Sequence, residues 1–304
     1  MKTAADTRKA VERFWNSRPC DSDRSQSASG TKAYFEDIER DRYAHQGHIL
    51  TAVLAKIDWK GKHVLEIGTG VGTDARRIVE RGALYTGINI DQASVEMTAS
   101  ALKLYRLPGT VEKRDATALP YPDGSFDVVY SFGALPCIPD LERAMAEIYR
   151  VLRPRGELLV LFYNRASINH QIEIRLLRRL ARPLLLVPGM ITLLHWLGLP
   201  RDRLTGHRDL YRRAPRISAE EWLSRNTDGP DNPYICIHSA AEAERLLSGF
   251  DIASHTVHYF DYRHWGILGR LIPGRLIEWL GARWGWHRIV YARKAAPRPA
   301  RARS

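Results

Sequence analysis

The chain reads as an α/β protein built on a doubly wound, mostly parallel sheet. Three observations predict this. Residues 64–74 read Val-Leu-Glu-Ile-Gly-Thr-Gly-Val-Gly-Thr-Asp, an apolar strand running straight into a glycine-rich turn. A helical pattern begins at once, over residues 73–80. Further strand-like runs at residues 84–89, 128–131 and 157–163 then alternate with helical patterns, and sequential βα units imply parallel pairing.

Val64, Leu65 and Ile67 form the buried face of the first strand. Gly68, Gly70 and Gly72 let the backbone turn tightly and approach a ligand, with Thr69 between the first two. A glycine turn at a helix N-terminus suits a nucleotide-type ligand. The dinucleotide fingerprint needs a third glycine where Thr73 stands. Glu66, two residues before Gly68, would repel a pyrophosphate but suits an ammonium or sulfonium group. Both features disfavour a dinucleotide oxidoreductase. The second strand, residues 84–89, ends at Asn89, followed by Ile90 and Asp91. That strand end commonly offers a polar side chain to ribose hydroxyls. Asn89 can serve, and Asp91 either serves instead or caps the following helix. Over residues 115–131, Pro122-Asp123-Gly124 is a turn, Phe126 plugs the core, and residues 128–131 form a strand.

These segments resemble class I S-adenosylmethionine-dependent methyltransferases. Glu66 to Gly72 follows E-x-G-x-G-x-G. Asp115-Ala116-Thr117-Ala118-Leu119-Pro120-Tyr121-Pro122-Asp123-Gly124-Ser125-Phe126-Asp127 resembles D-A-x-x-L-P-(F/Y)-x-D-x-S-F-D of the ubiquinone/menaquinone-type and sterol-type branch. Glu147-Ile148-Tyr149-Arg150-Val151-Leu152-Arg153-Pro154-Arg155-Gly156 is similar to E-x-x-R-V-L-K-P-G-G, with Arg155 in place of the first glycine. The resemblance covers residues 64–163. It implies a seven-stranded sheet whose last strand is antiparallel, and S-adenosylmethionine as cofactor. It also implies that Asp115 accepts a hydrogen bond from the adenine amino group, with Ala116 meeting the ring through its backbone. The family carries Asp or Glu where this chain has Asn89. The positive sulfur is expected against Phe132 and backbone groups from Ser131 to Gly133.

Composition bounds the rest. The chain has 304 residues and a net charge of +12. Residues 1–163 hold 23 Lys+Arg and 22 Asp+Glu, whereas residues 164–304 hold 23 and 12. The surplus therefore lies in the C-terminal half and is almost entirely arginine. Three separated cysteines argue against a disulfide framework. Neither a signal-like leader nor an apolar run of about eighteen residues is present, so a cytoplasmic enzyme is expected. Nothing in the sequence marks an oligomeric state.

The expected organisation is a helical lid over residues 1–46, a cofactor-binding core over 47–163 and a helical substrate insertion over 164–240. Residues 241–294 return to complete the sheet, and a disordered tail follows over 295–304. Trp15 and Tyr43 are the lid aromatics. Tyr163 and His170 follow the fifth strand and are candidate acceptor contacts, His170 being the conventional base among them. Many relatives place histidines after the fourth strand, where this chain has Pro136 and Cys137. The context of Cys137 lacks the flanking residues of cytosine-5 methyltransferases. His45 and His48 have metal-compatible spacing without a third ligand, so no metal is expected. Residues 172–182 place Arg175, Arg178, Arg179 and Arg182 on one helical face, opposite Ile172, Leu176, Leu177 and Leu180. Residues 184–199 and 267–280 are strongly apolar. Two readings follow: a packed substrate lid with a solvated arginine face, or peripheral contact with a membrane. The expected activity is methyl transfer to a small molecule, an amphipathic or lipid-like acceptor included. The alternative is a nucleic-acid methyltransferase using the C-terminal arginines. The core lacks an Asn/Asp-Pro-Pro-aromatic run after the fourth strand, which counts against it.

Overall fold

The computed structural model describes residues 3–214 and 216–296. Seven strands form one sheet in the order β3-β2-β1-β4-β5-β7-β6. They are β1 His63–Ile67, β2 Leu84–Asn89, β3 Thr110–Lys113, β4 Phe126–Ser131, β5 Leu152–Tyr163, β6 Phe250–His258 and β7 His287–Lys294. The first five are mutually parallel, whereas β7 runs antiparallel to both β5 and β6. This is the expected class of fold. Chain order reverses between β1 and β4, and the crevice beyond the strand ends at such a point is where open α/β sheets bind ligands.

Alternation along the strands divides the core. Leu65, Val129, Leu158 and Val160 pack on one face with Met145 and Ile148 of α5, Leu141–Val151. Val64, Val128, Leu159 and Leu161 pack on the other with Ile78 of α3, Thr73–Glu80, and Leu54 of α2, Lys32–Leu54. Helix α1, Ala4–Ser17, lies outside this core, and α2 continues unbroken through residue 46. Helix α4, Gln92–Leu104, is capped by Asp91, which accepts from Ser94 N at 2.8 Å.

Two local features escape the sequence patterning. Strand β3 is a half-exposed edge strand, so it carries no apolar alternation. Strand β5 starts earlier than its apolar run suggests, and Arg155 adopts a left-handed φ of 61° where the family pattern has glycine. The expected tail beyond residue 296 lies outside the described residues.

After β5 come a π-helical run Asn169–Leu177, helix α6 Arg178–Ala181, a 3-10 turn Arg182–Leu186, and helices α7 Met190–Trp196, α8 Arg201–Arg213 and α9 Ala219–Arg225. Helix α10, Ala240–Leu246, leads to β6. A 3-10 turn Tyr262–Trp265 and helices α11 Gly266–Arg270 and α12 Gly274–Trp284 then lead to β7. The solvated-arginine reading of residues 172–182 fits Arg175 and Arg179, which are exposed, but not Arg178 and Arg182. Arg178 pairs with buried Glu173 and donates to Asn226 O at 2.6 Å. Arg179 and Arg182 lie over the rings of Trp222 and Tyr211, at 5.3 and 4.8 Å. Leu176, Leu177 and Leu180 are exposed as well. A buried carboxylate needs a cation, and stacked aromatic faces attract guanidinium groups. Together they turn Arg178 and Arg182 toward protein, while Arg175 and Arg179 stay exposed.

Arg150 of α5 fastens the segment after β3 to the sheet. It donates to Leu119 O at 2.9 Å and Tyr121 O at 2.7 Å while pairing with Glu147 and Asp123. Arg150→Ala is expected to lower stability by about 1–3 kcal/mol, the cost of leaving buried acceptors unsatisfied. A urea midpoint equal to that of the unsubstituted chain would contradict this anchoring role.

Candidate functional site

A cavity of about 550 Å³ opens at the C-terminal ends of β1, β2 and β4. Helices α1 and α2 roof it, while the π-helical run and the loop after β6 close its far side. Its volume suits a small molecule.

The near end is built on the glycine turn. Gly68 has φ +87°, and a Cβ there would stand 2.1 Å from Ala134 Cβ, so no side chain fits. Gly70, at φ +55°, faces Cys20 across the cavity edge. Helix α3 begins at Gly72 without a side-chain cap, leaving its first N–H groups for other partners.

Buried charge dominates this end. Glu66 lies at the floor and accepts from Tyr85 OH at 2.5 Å. Burial, reinforced by nearby Asp74, holds the Glu66 carboxyl well above the usual carboxylate range. Asp74 Oδ2 accepts from Arg42 at 2.6 Å and from Tyr130 OH at 2.8 Å. Asp74 Oδ1 is buried without a hydrogen-bond partner, as is Asp91 Oδ2. Both aspartates are among the residues lining the cavity. Asn89 also lines it, but its own Oδ1 is occupied by Ile90 N at 2.9 Å. Asp115 holds Thr117 through Oδ1 and Arg8 of α1 through Oδ2, the latter at 2.7 Å.

The far end is aromatic. Tyr163 stacks on Trp286 with centroids 4.6 Å apart, and Tyr259 stacks on His287 at the same separation. Phe132 meets His287 edge-on at 5.9 Å, and the Arg42 guanidinium lies 5.8 Å from the Phe132 ring centroid. His287 is the one histidine lining the cavity among the described residues.

Most residues singled out from the sequence converge here. Glu66, Gly68, Thr69 and Gly70 line the cavity, as do Asn89, Ile90, Asp115, Ala116, Phe132 and Tyr163. Four do not. Gly72 packs on Thr98. Ser131 is buried and donates to Ile67 O at 2.9 Å, tying β4 to β1. Tyr43 lies beneath Arg77, and His170 turns its Nδ1 toward Arg165 O at 2.8 Å. Burial also lowers the affinity of His170 for a proton. Sequence reasoning passed over Arg8, Arg42 and His287. Arg42 adjoins Tyr43, and one helical step of about 100° separates their directions. Nothing in the local sequence distinguishes Arg42 as the inward residue. Among the described residues, no group of three or more His, Cys, Asp and Glu side chains is arranged to hold a metal ion.

Comparison with known proteins places this geometry. Residues 65–160 match the methyltransferase-domain family. A phthiotriol/phenolphthiotriol dimycocerosates methyltransferase of Mycobacterium tuberculosis is 41% identical over 104 residues, 33% of this chain and 37% of its own length. A sterol 24-C-methyltransferase of Neurospora crassa is 29% identical over 237 residues, 72% of this chain and 59% of that one. The chain thus spans little more than a third of the mycobacterial relative. A magnesium protoporphyrin IX methyltransferase from Synechocystis, solved with bound S-adenosylhomocysteine, aligns with a TM-score of 0.55 at 15% identity, over 95% of this chain and all of the other. A [4+2]-cyclase aligns with a TM-score of 0.52 at 20% identity, over 95% and 93%. At these identities the structural likeness is one of fold. Residues 65–160 are thus similar to a methyltransferase domain, the sheet has the class I methyltransferase fold, and the chain resembles in sequence methyltransferases named for dimycocerosates and for a sterol.

The Arg42–Asp74 pair joins the roof to the floor of the cavity. Arg42→Met is expected to cost about 3–5 kcal/mol by leaving a buried carboxylate without its cation, and adding Asp74→Asn should recover part of that loss. Denaturant unfolding of both variants measures this. A double variant no more stable than the single one would show that the ion pair is not the connection.

Proposed function

We propose that this chain transfers a methyl group from S-adenosylmethionine to a small amphipathic or lipid-like acceptor. The observation that carries the reading is the acidic end of the cavity. Asp74 Oδ1 and Asp91 Oδ2 are buried acceptors without a hydrogen-bond partner, next to Glu66 and an uncapped helix start. That donor set fits a ligand bearing an ammonium group, a carboxylate and ribose hydroxyls, and it suits a pyrophosphate poorly.

In this reading Asp74 and Glu66 take the ammonium, and the first N–H groups of α3 take the carboxylate. Asp91 takes a ribose hydroxyl, with Asn89 beside it. Asp115 takes the adenine amino group and must share or release Arg8 to do so. When bound, the cofactor supplies a methyl carbon made electrophilic by its sulfonium sulfur. Phe132 offers an aromatic face to that positive charge. Trp15 and Val11 of α1 roof the site and exclude water. Tyr163, Trp286 and Tyr259 hold the acceptor in line with the methyl carbon, and such orientation supplies much of the acceleration. His287 is placed to receive a proton that the acceptor gives up.

Ile174, Leu161 and Trp286 supply apolar wall for the acceptor. The mycobacterial and Neurospora relatives are named for phthiotriol/phenolphthiotriol dimycocerosates and for a sterol, which are acceptors of the same character. A nucleic-acid acceptor finds less support, because Arg178, Arg179 and Arg182 are engaged within the protein. No helix among the described residues is long and apolar enough to cross a membrane, so an acceptor resident in lipid would be met at the membrane surface.

The test is transfer of a labelled methyl group from S-adenosylmethionine to separated lipid, small-metabolite and nucleic-acid fractions. Label in the lipid fraction supports the reading; label confined to nucleic acid overturns it. A pH dependence should accompany binding. The raised Glu66 carboxyl takes up a proton as pH falls through its elevated pKa, and only its ionised form attracts an ammonium group. Affinity for S-adenosylmethionine should therefore rise from acidic to neutral pH, and Glu66→Gln should flatten that rise. Calorimetric titration checks both, and a dissociation constant unaffected by pH in the unsubstituted chain would contradict the assignment.

A further inference from the structure

Away from the cavity, two separate stretches of chain turn large apolar side chains into solvent. Leu180 of α6 is 67% exposed and Trp196 of α7 is 80% exposed. Leu268 of α11 and Leu271 just beyond it are 70% and 73% exposed. The stretches meet at a seam where Ile267 N donates to Leu197 O at 2.9 Å. The two apolar stretches therefore adjoin at this seam. Single exposed leucines are ordinary on a protein surface, whereas a continuous apolar face marks a binding surface.

The charges around this face select its occupant. Residues 174–201 contain five arginines and no Asp or Glu. Arg175 and Arg201 are exposed within that stretch, and Arg270 and Arg275 are exposed on the other. On α12, Arg283 lies 5.8 and 5.9 Å from the ring centroids of Trp279 and Trp284, which are themselves half exposed. Only Glu278 offers a negative charge between residues 266 and 284. Leucine and tryptophan bordered by arginine is the composition that settles at the boundary of headgroups and acyl chains. A second copy of the chain docked on the same face would bring arginine against arginine, which opposes association.

We infer that this face docks on an anionic lipid bilayer, its leucines and tryptophans at the acyl boundary and its arginines against headgroup phosphates. The segments that lead into these elements border the acceptor end of the cavity. Ile174 lines it from the π-helical run, and Tyr259 and Asp261 line it just before the turn that leads to α11. A docked chain would therefore hold its acceptor end beside the membrane. That orientation rests on the proposed methyl transfer to a lipid-like acceptor, but docking itself does not.

Co-sedimentation with vesicles tests docking without any methyl transfer, so the two readings can fail separately. The full chain is mixed with phosphatidylcholine vesicles, with or without phosphatidylglycerol, at low and high salt. Binding should require phosphatidylglycerol and weaken with salt. A chain carrying Leu180→Ser, Trp196→Ser, Leu268→Ser and Leu271→Ser should bind at least about tenfold more weakly while keeping its melting temperature. A second chain carrying Arg270→Gln, Arg275→Gln and Arg283→Gln should lose the preference for phosphatidylglycerol. The inference is overturned if the unsubstituted chain ignores anionic vesicles, or if the serine chain binds them equally well. It is also overturned if sedimentation velocity finds a dimer that the serine chain abolishes while vesicles go unbound.

Discussion

The arrangement of this site depends on one buried ionic contact, Arg42 on Asp74. Without it, the glycine turn would hold two carboxylates, Glu66 and Asp74, at the bottom of a cavity with no counter-charge from the protein. Arg42 supplies one positive charge from α2 and leaves one oxygen of Asp74 unclaimed. The outcome is a site short of one cation, with the roof helix fixed over it. Tyr130 and Tyr85 add hydroxyl donors from the sheet, one to each carboxylate. Roof, turn and two strands are thus tied together by the same charges that face the ligand.

The core was legible in the sequence because its physics is local. Glycines forced into left-handed backbone, a carboxylate at a fixed distance before them and an apolar strand leading in are all written within eleven residues. Edge strand β3 was not legible, because exposure on both faces removes the alternation that reveals a strand. The far end of the cavity was illegible for a different reason. His287 and Trp286 reach it from the last strand, more than a hundred residues after Tyr163. Only the antiparallel pairing of β5 with β7, which sets Tyr163 opposite His287, brings them together. His170 sits closer to Tyr163 in sequence, yet the backbone after Asn164 turns its ring away.

The insertion shows how far helical periodicity alone can mislead. An amphipathic pattern identifies two faces without saying which one meets water. Here Glu173 and the Tyr211–Trp222 stack, at 5.6 Å between centroids, lie on the inner side and draw Arg178 and Arg182 inward. The hydrocarbon face is left outside. The electrostatic demand of one buried acid outweighed the tendency of leucine to leave water, because an unpaired buried charge costs more than several exposed methyl groups.

The roof provided by α1 rests on Val11 and Trp15 in an apolar cluster and on polar contacts at its rim. Arg8 pairs with Asp115, Glu12 with Lys113, and Asn16 accepts from Ala93 N. Ion pairs this exposed contribute about 0–1 kcal/mol each and weaken as salt rises. Rising ionic strength therefore loosens the rim of the cover, while the apolar seat beneath it, which salt does not screen, stays in place.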